Sequence, residues 1–318
     1  MSATTTAPPL AEPLRRALDE IDFAPDGKEG EVRGHRFEGT DAKHLTASLA
    51  NALYLALHTG RPPRAAKRNP AVSDPRMVEA LRERVPHDTS VMEVPGAAAD
   101  GGAQDEVVVR LGGVRVRVPR AGVEEAPGGS RIRIPSVLPR RSPGFLMVHG
   151  SRGHSLDGGD ILRLYLSVPD HLGAPGVWGR ALTLLEEAGV RYQAKALSTR
   201  SSYPRNDAIV VYLGSSSWPA VPALVEGLRG TEGLGTGASL YTAPLAPGVA
   251  WAWEPDDEQL RDRTLSFGQH RSRLIAEGLV RAVREGTDRA AEAARSLEEG
   301  GVPAGALHRG HGSPDIGL

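Results

Sequence analysis

The run Asp207-Ala208-Ile209-Val210-Val211-Tyr212-Leu213 restricts this chain more than any other feature. An extended stretch that is apolar on both faces needs cover above and below it, so it belongs in the middle of a sheet. Other segments supply neighbours. Ile161 to Val168 alternates, with Leu162, Leu164, Leu166 and Val168 on one side and Arg163, Tyr165 and Ser167 on the other. Arg191 to Leu197 predicts a strand showing Arg191, Gln193 and Lys195 on one face, and Gly144 to His149 a strand ending at a histidine. Val107 to Val118 reads as a hairpin around Gly112-Gly113, and Arg131 to Leu138 as a further strand.

Helical spacing marks the rest. Glu12 to Ile21 is a short helix, and Asp41 to Thr59 a stronger one, capped by Asp41 and ended by Gly60. Pro75 opens a third helix. Val177 to Ala188, Phe267 to Glu285 and Asp288 to Glu299 carry apolar residues at the same spacing. Together these predict an α+β fold, an antiparallel-rich sheet with packed helices, preceded by a small helical N-terminal domain. The expected boundaries are a helical domain over 1–95, a Gly/Ala-rich linker over 96–106, an α+β domain over 107–285, and a C-terminal helix with a loose tail over 286–318.

Several functions are excluded early. The chain has no cysteine, which removes disulfides, cysteine nucleophiles and cysteine-based zinc sites. A net charge of -1 argues against a nucleic-acid or membrane partner. No apolar run reaches the ~20 residues of a membrane span. Met1 to Pro9 lacks a charged-then-apolar signal pattern, so the cytoplasm is the expected location. There is no phosphate-binding G-x-x-x-x-G-K-[ST] loop, no dinucleotide fingerprint and no paired metal-ligand spacing. Neither a cofactor nor a metal is expected.

Basic residues are uneven in kind. Four lysines, Lys28, Lys43, Lys67 and Lys195, stand against thirty-four arginines. Arginine stays protonated, whereas lysine can serve as a base when its pKa is depressed. After residue 67 only Lys195 can do so among basic side chains other than histidine. The candidates near it are His149, Arg163, Tyr165, Tyr203, Arg205 and Arg271. Two or three guanidinium groups, hydroxyls, a lysine and a histidine suit a phosphate monoester. Each also has a plain structural reading. Arg163 and Tyr165 could form a solvated sheet face, Arg205 and Asp207 a loop ion pair, and His149 a turn histidine. Lys195 could be an edge-strand surface lysine. His308 and His311 read as solvated tail residues.

The ordered set Pro143-Gly144-Phe145, His149-Gly150, Arg163-x-Tyr165, Tyr192-Gln193-Ala194-Lys195-Ala196-Leu197, Tyr203-Pro204-Arg205-Asn206-Asp207-Ala208, Leu245-Ala246-Pro247-Gly248 and Ser266-Phe267-Gly268-x-His270-Arg271 resembles the HopA-type effector family. The resemblance covers about Pro143 to Arg284, with Tyr54-x-x-Leu57-x-x-Gly60 matching more loosely. Members occur as type III effectors of plant pathogens and, in actinobacteria, beside a separate phosphotransferase in class V lanthipeptide and thioamitide pathways. The resemblance implies a phosphoserine/phosphothreonine lyase. A Ser/Thr phosphotransferase would phosphorylate a precursor peptide, and this chain would eliminate phosphate to leave dehydroalanine or dehydrobutyrine. Elimination needs a base at Cα–H, a stabilised enolate-like carbonyl and a neutralised leaving phosphate. On this reading Lys195 is the base, His149 the general acid, and Arg163, Arg205 and Arg271 hold phosphate with Tyr165 or Tyr203. How acid and base roles divide among Lys195, His149 and the tyrosines stays open. The neutral form of an ordinary lysine costs roughly 4 kcal/mol near neutral pH. Two rivals are a non-catalytic module gripping phosphorylated peptide or its kinase, and an acid/base peptide-modifying enzyme such as an epimerase.

Overall fold

The computed structural model describes residues 9–63, 73–95, 99–100, 105–111, 114–126, 129–154, 159–255 and 265–318. Its centre is a seven-stranded sheet of β1 (Val137–Ser142), β2 (Phe145–His149), β3 (Leu162–Val168), β4 (Gln193–Leu197), β5 (Arg205–Leu213), β6 (Ala243–Ala246) and β7 (Val249–Trp253). The spatial order is β1-β2-β4-β5-β3-β7-β6, and every pairing is antiparallel. The doubly apolar run thus lies on β5, the middle strand.

Helices cover both faces. They are α1 (Glu12–Asp19), α2 (Ala42–Leu53), α3 (Pro75–Arg82), α4 (Ala174–Glu187), α5 (Val221–Leu228), α6 (Phe267–Glu285) and α7 (Arg289–Glu299). Leu162, Leu164, Leu166, Ile209 and Val211 pack with Met77 of α3, Trp178 of α4 and Leu224 of α5 on one side. Tyr165, Val210 and Ala252 pack with Leu49 and Leu53 of α2, Ile275 and Leu279 of α6, and Leu297 of α7 on the other. Every residue of β3 is therefore buried, including those of its polar side.

Local chemistry sets the helix ends. The Asp41 carboxylate accepts the His44 N–H at 2.9 Å to start α2. The chain then widens into a π-helical turn, Tyr54–Thr59, closed by Gly60 at φ 64°. Ser266 and Gln269 form a capping box at the start of α6, and Gly286 at φ 67° ends it.

The N-terminal segment is helical, and it also carries a small sheet of Asp22–Phe23, Glu29–Val32 and His35–Glu38. Its helices do not hold a core to themselves. Leu14, Leu18, Leu49 and Leu53 belong to the cluster shared with β3, β5 and α6. The Val107 to Val118 hairpin pairs as expected, although Gly112-Gly113 and most of Gly96 to Gln104 lie outside the described residues.

The tail departs from expectation. From Gly300 it is docked rather than loose, with Val302, Ala304 and Leu307 buried. The Trp253 backbone N–H donates to the His308 carbonyl at 2.8 Å. The His308 ring is half-buried, 4.9 Å from Trp251, and His311 lies 2.9 Å from Glu298. Glycine content suggests a loose chain, but here backbone and buried apolar contacts hold it.

Candidate functional site

Strand register assembles the site. Cα partners put His149, Gln193, Tyr212, Arg163 and Ala252 in one row across the sheet, and Met147, Lys195, Val210, Tyr165 and Ala250 in the next. Rows two residues apart share a face. That face is the one covered by α2 and α6.

Lys195 is half-buried on this face. Its Nζ lies 4.6 Å from the centre of the Phe145 ring and 5.6 Å from that of Tyr212. Among the described residues it makes no ion pair and no hydrogen bond. The expected companion Arg191 lies ahead of β4 and turns away, donating to Glu93 at 2.8 Å.

Arg205 lies 6.0 Å from the same Phe145 ring. Its Nε and Nη2 each donate to Asp207 at 2.6 Å, and Nη2 also donates to the Tyr54 hydroxyl at 2.7 Å. Nη1 has no partner among the described residues. The ion pair read from the sequence as a loop feature is thus a nearly buried one on a strand, at 11% and 7% side-chain exposure. Burial alone would raise the Asp207 carboxyl, but Arg205 and His58 hold it far below the usual carboxylate range.

His58 completes this network. Its Nε2 is 3.6 Å from Asp207, and its Nδ1 is 2.8 Å from the Ser239 hydroxyl. Rings of Tyr54, Tyr165, Tyr241 and Phe267 surround it at 5.4 to 5.8 Å. A Cβ on Gly268 would sit 2.2 Å from the His58 ring, so only glycine lets α6 approach the π-helical turn this closely.

Arg163 is 7% exposed, and its Nε and Nη2 donate to both carboxylate oxygens of Glu254. Its Nη1 lies 3.4 Å from the Tyr165 hydroxyl. This is neither a solvated sheet face nor a free clamp, because a carboxylate already occupies the fork. Arg271 is fully buried and serves the tail, donating to the carbonyls of Leu307 and Arg309 at 3.0 Å each. The Tyr203 hydroxyl donates to the Leu197 carbonyl at 2.9 Å, tying down a bend. The structure therefore sets Lys195 and Arg205 against one ring, Phe145, commits Arg163 to Glu254, and uses Arg271 and Tyr203 to hold backbone.

His149 is diagonal to Lys195 on the neighbouring strand. It is 3% exposed, with its ring 4.1 Å from that of His154. Both its ring nitrogens are buried and have no partner among the described residues. Burial, then His154 and Arg141, lower its pKa from 6.5 to about 3. A neutral, enclosed ring is a poor general acid, which counts against the role expected for it. Between those two values the unfolded chain binds a proton that the folded chain refuses, so stability falls as pH falls through this range. The expected loss from this residue is about 2 kcal/mol at about pH 5. Thermal midpoints measured from neutral to acid pH should show the decline, and His149→Leu should flatten it.

Sequence reasoning missed Tyr54, His58, Glu254, Phe145 and Tyr212 as parts of this constellation. Phe145 and Tyr54 stand in the motifs that carry the resemblance, and Tyr212 alternates with Val210 on β5, but none of the three had a role read for it. His58 and Glu254 arrive from distant segments.

Among the described residues no three His, Asp or Glu side chains gather as a metal site, and no helix is long and apolar enough to cross a membrane. The family model described as HopA1 effector protein family matches residues 137–306, just over half of the chain. An effector protein structure from Pseudomonas syringae pv. tomato strain DC3000 is similar at 14% identity and a TM-score of 0.45, covering 84% of this chain and 95% of that one. Another, from Pseudomonas syringae pv. syringae strain 61, shows 12% identity and a TM-score of 0.46, covering 84% and 92%. No curated protein matches the chain.

Proposed function

The chain belongs to the HopA1 effector protein family, and from that premise we propose that it is a phosphoserine/phosphothreonine lyase acting on a precursor peptide in the cytoplasm. A separate Ser/Thr phosphotransferase supplies the phosphorylated substrate, and the product carries dehydroalanine or dehydrobutyrine. The observation that carries the reading is the pair at Phe145: among the described residues, Lys195 has no anionic partner and Arg205 Nη1 is unengaged. One can take a proton and the other can meet an anion.

The chemistry needs no redox step. Lys195, in its neutral form, takes the Cα proton onto Nζ, and the C–H pair becomes the Cα=Cβ bond. The Cβ–O bond breaks, and its pair leaves on phosphate. Arg205 Nη1 meets the phosphate oxygens. Tyr54 accepts from Arg205, so its own proton is available to the substrate. This hydroxyl replaces His149 as the donor. Phosphate can reach Arg163 only by displacing Glu254.

That last point favours a second reading, a module that binds phosphorylated peptide without turning it over. A phosphothreonine peptide incubated with the protein decides between them by mass spectrometry. Loss of phosphoric acid supports the lyase. Binding without loss supports the module, and the absence of both binding and loss overturns both readings.

A further inference from the structure

The partner of Lys195 is unusual in kind. Elsewhere on this face each buried cation has an oxygen acceptor: Glu254 for Arg163, Asp207 for Arg205, and tail carbonyls for Arg271. Lys195 instead lies over ring faces, 4.6 Å from Phe145 and 5.6 Å from Tyr212. The two rings come from different strands, β2 and β5, on either side of β4. Tyr212 is also met by Arg163, 5.1 Å from its ring and itself fixed by Glu254. Phe145 is likewise flanked by Arg205 at 6.0 Å.

We infer that Phe145 and Tyr212 act as an aromatic clamp that positions the Lys195 amine, and that they are positioning residues for the proposed elimination. The inference rests on the lyase reading for its catalytic part and on geometry alone for its structural part. A ring face attracts a cation through its quadrupole but offers no lone pair to keep the proton. A carboxylate in the same place would hold the proton on the amine more firmly and occupy its donors. The clamp therefore fixes Nζ in space while leaving its hydrogen-bonding directions for substrate. The ring, and not the phenolic oxygen, is what Tyr212 contributes.

The expected kinetics follow. Phe145→Leu and Tyr212→Leu should each lower kcat about tenfold while leaving KM nearly unchanged. Both should also displace the pH profile of kcat. Tyr212→Phe keeps the ring and should behave as wild type. A readout independent of turnover comes from the scarcity of lysine, four in the chain. Reductive methylation with carbon-13 formaldehyde labels them for NMR, and Lys195→Arg assigns the signal of interest. Ring currents should shift the Lys195 methyl signal upfield, and Phe145→Leu should move it back toward the exposed lysines. If that signal sits with the exposed lysines in the wild type, the clamp is absent. If the signal is shifted but folded Phe145→Leu and Tyr212→Leu keep wild-type kcat and pH profile, the positioning role is overturned. A shifted signal in a wild type without lyase activity would instead remove the lyase reading and keep the clamp.

Discussion

Lys195→Ala is expected to fold normally and to lose phosphate elimination by about a thousandfold, the usual contribution of a positioned acid/base group. The side chain is half-buried and makes no ion pair or hydrogen bond among the described residues. Its removal therefore forfeits ring contacts worth roughly 1 kcal/mol. The unfolding midpoint should stay close to that of the wild type. Lys195→Arg sharpens the test. Arginine keeps the positive charge and can still lie over Phe145 and Tyr212, but it does not give up its proton in a protein. If Lys195 only anchors phosphate, the arginine variant retains activity; if it is the base, both variants are inactive. Rates of phosphoric acid loss from a phosphothreonine peptide provide the measurement. Elimination by Lys195→Ala at the wild-type rate would show that the base lies elsewhere.

Asp207→Ala is expected to cost about 3 to 5 kcal/mol of folding stability, the range for breaking one side of a buried ion pair. Its carboxylate meets Arg205 twice at 2.6 Å and faces His58 at 3.6 Å, all nearly out of solvent. Alanine strands the Arg205 guanidinium in a low-dielectric space, with Tyr54 its one remaining hydrogen-bond partner among the described residues. Denaturant titration measures the loss. A cycle with Arg205→Met separates its causes, since removing both charges should recover part of the stability. Acid dependence adds a signature of known sign. The folded carboxyl lies far below its ordinary value of 3.8. Its contribution is complete above that value and drains away as pH falls below it. A loss under 1 kcal/mol for Asp207→Ala would mean that this pair does not hold the site together.

Much of the fold was readable from local pattern. The alternation of Ile161 to Val168 and the doubly apolar run ending at Leu213 define β3 and β5. The Ser266–Gln269 box and Gly286 bound α6 where the spacing placed it. Lys195, Arg163 and Tyr165 share a face because strands alternate, and antiparallel pairing keeps that face common. What pattern left unread was occupancy. Arg163 and Glu254 are 91 residues apart, and Tyr54 reaches Arg205 across 151. A basic residue facing inward looks the same in sequence whether its partner is substrate, carboxylate or backbone.

The amino-acid sequence by itself determined that this is an antiparallel α+β chain with a buried central strand and one lysine on its polar face. Periodicity and capping are properties of neighbouring residues, and they survive without knowledge of the rest. Only the tertiary structure decided which charges are spent. Strand order and register bring Glu254 onto Arg163, the tail carbonyls onto Arg271, and two aromatic rings onto Lys195. Coulomb attraction and desolvation depend on separations of a few ångströms, and those are set by chain segments that lie far apart in sequence.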